Sequence, residues 1–147
     1  MLFRSKVEVF KVGGTFTPPT GATYAIATMV GGGGGVGETS AAGNGGTSSV
    51  AFAAGTLTAL GGAGATFDSG AFSVIAVAGT ANSGLAARMA QDTRAYYPSQ
   101  DGAVIIAGGA VTAGVGVTVT VGAGGAAGGG GAAGGSGYVS ISYMVPQ

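Results

Sequence analysis

The chain has 147 residues, of which 34 are glycine; 46 % are hydrophobic, only 7 % are charged, and the formal net charge is zero. A neutral chain offers nothing to polyphosphate, which disfavours nucleic acid as a partner, and this hydropathy is too high for ordinary disorder. With no cysteine and no histidine, disulfides, the usual zinc sites and Ser/His/Asp or Cys/His nucleophiles are absent.

Residues 1–11 hold Arg4, Lys6, Glu8 and Lys11. Val7 and Val9 fall on one face of an alternating stretch, so residues 1–12 read as an N-terminal edge strand or docking arm. The stretch has no continuous apolar segment of the signal-peptide kind. Thr15 to Gly21, with Pro18 and Pro19, reads as a turn. Thr23 to Val30 is a half- or fully-buried strand, with Tyr24, Ile26, Thr28 and Val30 on one side and Ala25, Ala27 and Met29 on the other. An unbroken run, Gly31 to Gly35, follows it directly.

A polar loop spans Glu38 to Ser49, and short strands are expected over Val50 to Phe52, Thr56 to Leu60 and Ala71 to Ala78. Ser83 to Thr93 is the one credible helix: Ser83 can cap it, and Leu85, Ala86 and Met89 fall on one side. From Gly102 to Gln147 no side chain is charged. That length must be tested as a membrane span, but Gly108, Gly109, Gly114 and Gly116 interrupt it, and its Val/Thr alternation has period two. The segments are also short for a porin-type barrel. Membrane insertion is therefore not expected. Ala103 to Ala107, Val115 to Val121 and Tyr138 to Val145 read as strands.

Between the last two lies GAGGAAGGGGAAGGSG. Gly122, Gly125, Gly128, Gly131, Gly134 and Gly137 recur there at every third position, which is the period of an extended polyproline-II-type helix. Such a segment makes no internal hydrogen bonds and must pair with neighbours or with water. A flexible linker is the competing reading. The packed one makes these six glycines a structural lattice and the organising element of the chain.

Little chemistry is on offer. Gly32, Gly34 and Gly37 fit a dinucleotide-loop pattern, but no helix follows, and neither Lys6 nor Lys11 follows a glycine loop. No cofactor and no metal are implied. Scattered acids such as Glu38, Asp68, Asp92 and Asp101 could in principle supply a glycosidase pair, though such acids are more often solvated. The chain reads as a non-enzyme. Arg88, Asp92, Arg94, Tyr96, Tyr97, Gln100 and Asp101 do stand out, because they put long polar and aromatic side chains into a chain of small ones. Tyr and Arg are enriched in binding hot spots, so these residues are the candidate receptor-binding or docking patch. A solvated excursion with Arg88 and Asp92 paired at i, i+4 is the alternative.

The expected fold is all-β: one domain over residues 1–147, a β-sandwich or jelly-roll-like arrangement with glycine-rich connections and one short helix. Glycine costs more entropy to order than alanine, and large apolar residues are few. Burial against other copies of itself or against a host assembly is therefore expected.

The motifs Gly14-Thr15-Phe16-Thr17-Pro18-Pro19-Thr20-Gly21, Tyr24 to Gly35 and Gly45-Gly46-Thr47-Ser48-Ser49 resemble pieces of the glycine-rich virion proteins of tailed bacteriophages. So do Thr56 to Gly62, Val119 to Gly125 and the closing Gly135 to Tyr143. The resemblance spans most of the chain, and each piece is low in complexity. It implies a tail-fibre or tail-tip protein that contacts neighbouring virion proteins and a bacterial surface receptor. It also implies glycine runs able to pack as polyglycine-II helices. Leu85 to Asp101 departs from that pattern. A capsid decoration or head-fibre protein, a cellular glycine-rich surface protein and a small glycan hydrolase are the other readings.

Overall fold

Alternation with period two lets a strand bury one face and expose the other, and the buried faces here meet in one core. The structure, a computed structural model, describes residues 1–38, 40–66, 76–89 and 99–147. Its strands are β1 (Phe3–Phe10), β2 (Gly14–Phe16), β3 (Tyr24–Val30), β4 (Val36–Gly37), β5 (Ser48–Phe52) and β6 (Gly55–Ala59). They continue with β7 (Ala65–Thr66), β8 (Ala76–Val77), β9 (Arg88–Met89), β10 (Val104–Ala110), β11 (Val117–Thr120) and β12 (Tyr138–Pro146).

Two four-stranded antiparallel sheets carry the fold, in the orders β1-β12-β3-β10 and β2-β11-β5-β6. The first gives Ala25, Ala27, Met29, Val139 and Ile141 to the core; the second gives Phe16, Val50, Phe52, Ala59, Val117 and Val119. In the first sheet Ala27 sits opposite Ile141 on one side and Ala107 on the other. The aromatic contact joining the layers is Phe16 with Tyr143, ring centroids 5.1 Å apart. The core is built from alanine and valine more than from large residues, so its close fit matters more than its volume.

Three expectations change. Gly14–Phe16 is a strand, β2, paired with β11. The turn set by the prolines comes later: Gly21 has φ +86° and Ala22 N donates to Pro19 O at 3.1 Å. The Val115 to Val121 strand is shorter than its alternation, because Gly114 at φ +77° and a Val115 N to Thr112 O bond place Val115 in a turn before β11.

The helix expected over Ser83 to Thr93 is the third. Over its described half the backbone is a turn, an extended segment and strand β9, which pairs antiparallel with β8. Gly84 N donates to Ser136 O, Ala86 N to Asp101 Oδ1 and Ala87 N to Gly34 O, so these donors serve distant segments and not a helical ladder. Residues 90–93 lie outside the described residues, as does most of the expected Ala71 to Ala78 strand.

At the top of the core sits Ser48, fully buried. Its Oγ donates to Val30 O at 2.6 Å and accepts from Gly122 N at 2.9 Å, tying together the ends of β3, β5 and β11. Ser48→Ala leaves a buried donor and a buried acceptor unpartnered, at about 1–3 kcal/mol each. The expected outcome is a melting temperature lower by several degrees, checked by calorimetry against Ser49→Ala on the neighbouring position.

Candidate functional site

The connections at one end of the two sheets are short: residues 17–23, 53–54 and 111–116. The three long connections, 31–47, 60–103 and 121–137, all leave from the other end, beside the short link 11–13. Long connections grouped at one end of a rigid scaffold are where function concentrates. Here their described parts form a second body held together mainly by backbone hydrogen bonds.

Its hub is residues 31–37, every one of them buried. The amide of Gly31 donates to Ala103 O, Gly32 to Gly46 O, Gly33 to Gly135 O, Gly34 to Gln100 O, Gly35 to Gly43 O and Val36 to Ala132 O. Every third residue thus returns to the same neighbour, three residues further back along it. That is the signature of a three-residue turn whose donors point outward at successive 120° steps. The hub carbonyls do the same in the opposite sense. Gly62 and Ala65 donate to Gly32 O and Gly35 O, Gly125 and Gly128 to Gly33 O and Val36 O, and Ala87 to Gly34 O.

Among the described residues six segments therefore surround the hub: 43–46, 62–65, 84–87, 100–103, 122–128 and 132–137. They also bond to one another in a closed ring. Gly45 N donates to Gly62 O, Gln100 N to Ala63 O and Gly102 N to Gly84 O. Gly84 N donates to Ser136 O, Gly134 N to Gly125 O and Gly43 N to Ala126 O. Neighbours in the ring alternate in direction. Bonds run to all sides of each segment, so the buried amides are paired without a sheet.

This arrangement explains the glycines. A Cβ on Gly31 or Gly34 would strike the carbonyl of Leu60 or Ala63, one on Gly32 or Gly35 that of Ala123 or Ala126, and one on Gly33 that of Leu85. Backbone occupies the space that side chains normally fill. At the far end the lattice opens enough for Val36, which packs with Ala65, Ala87 and Ala132 as a small apolar plug.

The period-three glycines belong to the ring and not to its centre. Gly122, Gly125 and Gly128 abut the carbonyls of Gly46, Gly43 and Ser40, while Gly131, Gly134 and Gly137 abut those of Val36, Gly33 and Val30. The segment is thus a pair of threefold rods reversed near Gly130 (φ +71°), and the hub is the Gly31 to Gly35 run. An unbroken glycine run has no internal pattern to mark it as a centre.

Of the candidate recognition residues, Asp92, Arg94, Tyr96 and Tyr97 lie outside the described residues, and Arg88 contributes its backbone to β9. Gln100 and Asp101 are ring residues with exposed side chains. Gln100 bonds through its backbone to Gly34 and Ala63, and Asp101 Oδ1 accepts from Ala86 N at 2.7 Å, linking two ring segments. The described flanks of residues 67–75 and 90–98 sit at the end of the bundle remote from the sheets. Thr66 pairs with Gly37, Met89 with Ala76, and Ser99 Oγ donates to Ala87 O. Glu38 and Ser40 are at this end too, where Glu38 N donates to Gly129 O and Ser40 Oγ accepts from Gly129 N.

No group of three or more acidic residues able to hold a metal, and no helix long and apolar enough to cross a membrane, occurs among the described residues. No family model, no curated protein and no solved structure matches the chain.

Proposed function

We propose that the chain is a structural, non-enzymatic virion protein of a tailed bacteriophage, a tail-fibre or tail-tip component serving attachment to the host surface. The observation that carries this reading is the bundle. Three connections from one end of the sheets are spent on a rigid rod of glycine backbone, and its remote end receives the flanks of both long excursions. A rod held together mainly by backbone hydrogen bonds offers little side-chain chemistry; its use in this reading is to hold something at a distance. Six residues at about 3.1 Å each extend it roughly 19 Å beyond the sheets. The excursion with Arg88, Asp92, Arg94, Tyr96 and Tyr97 is the proposed receptor contact, and neighbouring virion proteins are the partners at the sheet end.

The strand order favours a jelly-roll sandwich. Ranked along the chain, the eight strands of the two sheets fall in the orders 1-8-3-6 and 2-7-4-5. First pairs with eighth, second with seventh, third with sixth and fourth with fifth, as in an antiparallel ribbon folded at the β5–β6 hairpin and rolled up. Jelly rolls of this kind serve as viral capsid and lectin domains. That observation also supports the second reading, a capsid decoration or head-fibre protein.

The test is immunogold labelling of intact particles with an antibody to the sheet body. Label at the tail extremity is the expected result. Label over the head moves the protein to the decoration class, and unlabelled particles from an expressing phage overturn both.

A further inference from the structure

We infer that the outer face of the four-stranded sheet β1-β12-β3-β10 is an interface between two copies of this chain. On β1 the charged residues Arg4, Lys6 and Glu8 alternate with Phe3, Ser5, Val7 and Val9, so the charges point away from this face. The register places Val7 opposite Ser142, Ser142 opposite Ile26 and Thr28 opposite Ile106, all on the same outer side. The whole face carries no charged residue. Its apolar members are not covered by any other part of the described chain: Val7 is 61 % exposed, Tyr24 54 % and Ile106 68 %.

Area and charge select the occupant. Four strands about 4.8 Å apart and some seven residues long give a face of roughly 19 Å by 23 Å, about 440 Å² in projection. That is of the order of the ~300–600 Å² patches that mark interaction sites, and within a factor of two of the ~800 Å² per partner of a standard interface. A charged partner would leave its ions unpaired against this face, whereas a second copy meets neutral with neutral. Shape agrees. Near the β1 edge Phe3, Tyr24 and Met144 frame a depression of about 300 Å³, while Val104 and Ile106 stand out from the opposite end. A twofold axis lying in the plane of the interface, midway between the two features and across the line joining them, brings each projecting pair over the partner's depression, the reciprocal arrangement an isologous dimer requires.

This rests on the proposed reading only in expecting an assembly component. Its failure would show in the isolated chain, where particle labelling plays no part. Sedimentation velocity on the full chain between about 1 and 100 µM is expected to show monomer passing to dimer. Ile106→Asp, on an exposed position, is expected to weaken association at least 100-fold with the melting temperature of the dilute protein unchanged. Thr118→Asp, on the outer face of the other sheet, is expected to leave dimerisation as it is. A wild-type chain that stays monomeric throughout overturns the inference, as it would if a different virion protein covers the face. Equal association of wild type and Ile106→Asp, or equal weakening by Thr118→Asp, also overturns it.

Discussion

Replacing Gly33 by valine is expected to abolish folding of the glycine bundle. Gly33 donates to Gly135 O at 2.9 Å and accepts from Gly125 N at 2.8 Å, while a Cβ there would lie on the Leu85 carbonyl group. Three ring segments would have to move at once. Each displaced segment bonds to two others in the ring, so relief at one contact breaks several. The loss should exceed the ~4–5 kcal/mol that marks an exceptional single substitution. Even Gly33→Ala should be severe, because the obstruction is met by the first carbon. Gly131→Val, on the ring against Val36 O, should follow it in kind. Ala127→Ser, exposed at the remote end, should stay within about 0.5 kcal/mol. Calorimetry and amide exchange over residues 31–36 decide it. Slow exchange in the wild type and its collapse in Gly33→Ala are expected; a normal melt for Gly33→Ala would mean that the hub is not packed.

Val119→Asp should unfold the sheet body. Val119 lies between Gly14 and Val50 in its sheet, 2 % exposed, and faces the shared core. A carboxylate there has no partner, and burying one costs several kcal/mol even after it takes up a proton. Against a net stability of about 5–15 kcal/mol in a small domain, that is a large share. Thr120→Asp, one residue on and exposed, should cost about 1 kcal/mol or less. Equal losses on thermal melting would mean that the register of β11 is wrong.

The sheets were readable because their signal is local. In β3, Ala25, Ala27 and Met29 alternate with Tyr24, Ile26 and Thr28, and in β11 Val117 and Val119 alternate with threonine, so the two sides of each strand follow from spacing; in β11 the valines mark the buried one, whereas in β3 the small side is buried and the larger Tyr24 and Ile26 are exposed. The bundle resisted for the opposite reason. Its contacts join residues far apart in the chain, Gly33 to Gly135 and Gly32 to Gly46, and glycine carries no side chain by which to mark a partner. Period three announced that 122–137 is a threefold rod but not that it lies on the rim. Ser83, Leu85 and Met89 mimic a capped helix; the backbone there is taken by Ser136, Asp101 and Gly34 instead. Tertiary bonds outweighed a modest local preference. The candidate recognition residues stand out by composition, through their contrast with a small-residue chain; of those described, Gln100 and Asp101 are ring residues and Arg88 lies in β9.

The direction of the bundle's hydrogen bonds bears on how the protein carries load. Among the described residues the bonds that join the rods run sideways, from one rod to the next, while local bonds such as Gly131 N to Gly128 O close turns within a segment. A pull on the remote end along that axis must slide a rod past its neighbours and break its rows together. A sideways pull could peel one rod away bond by bond. The closed ring hinders even that, since every rim segment is held by two rim neighbours as well as by the hub. The glycine rod is therefore strongest under axial tension, the load that the proposed attachment role would place on it.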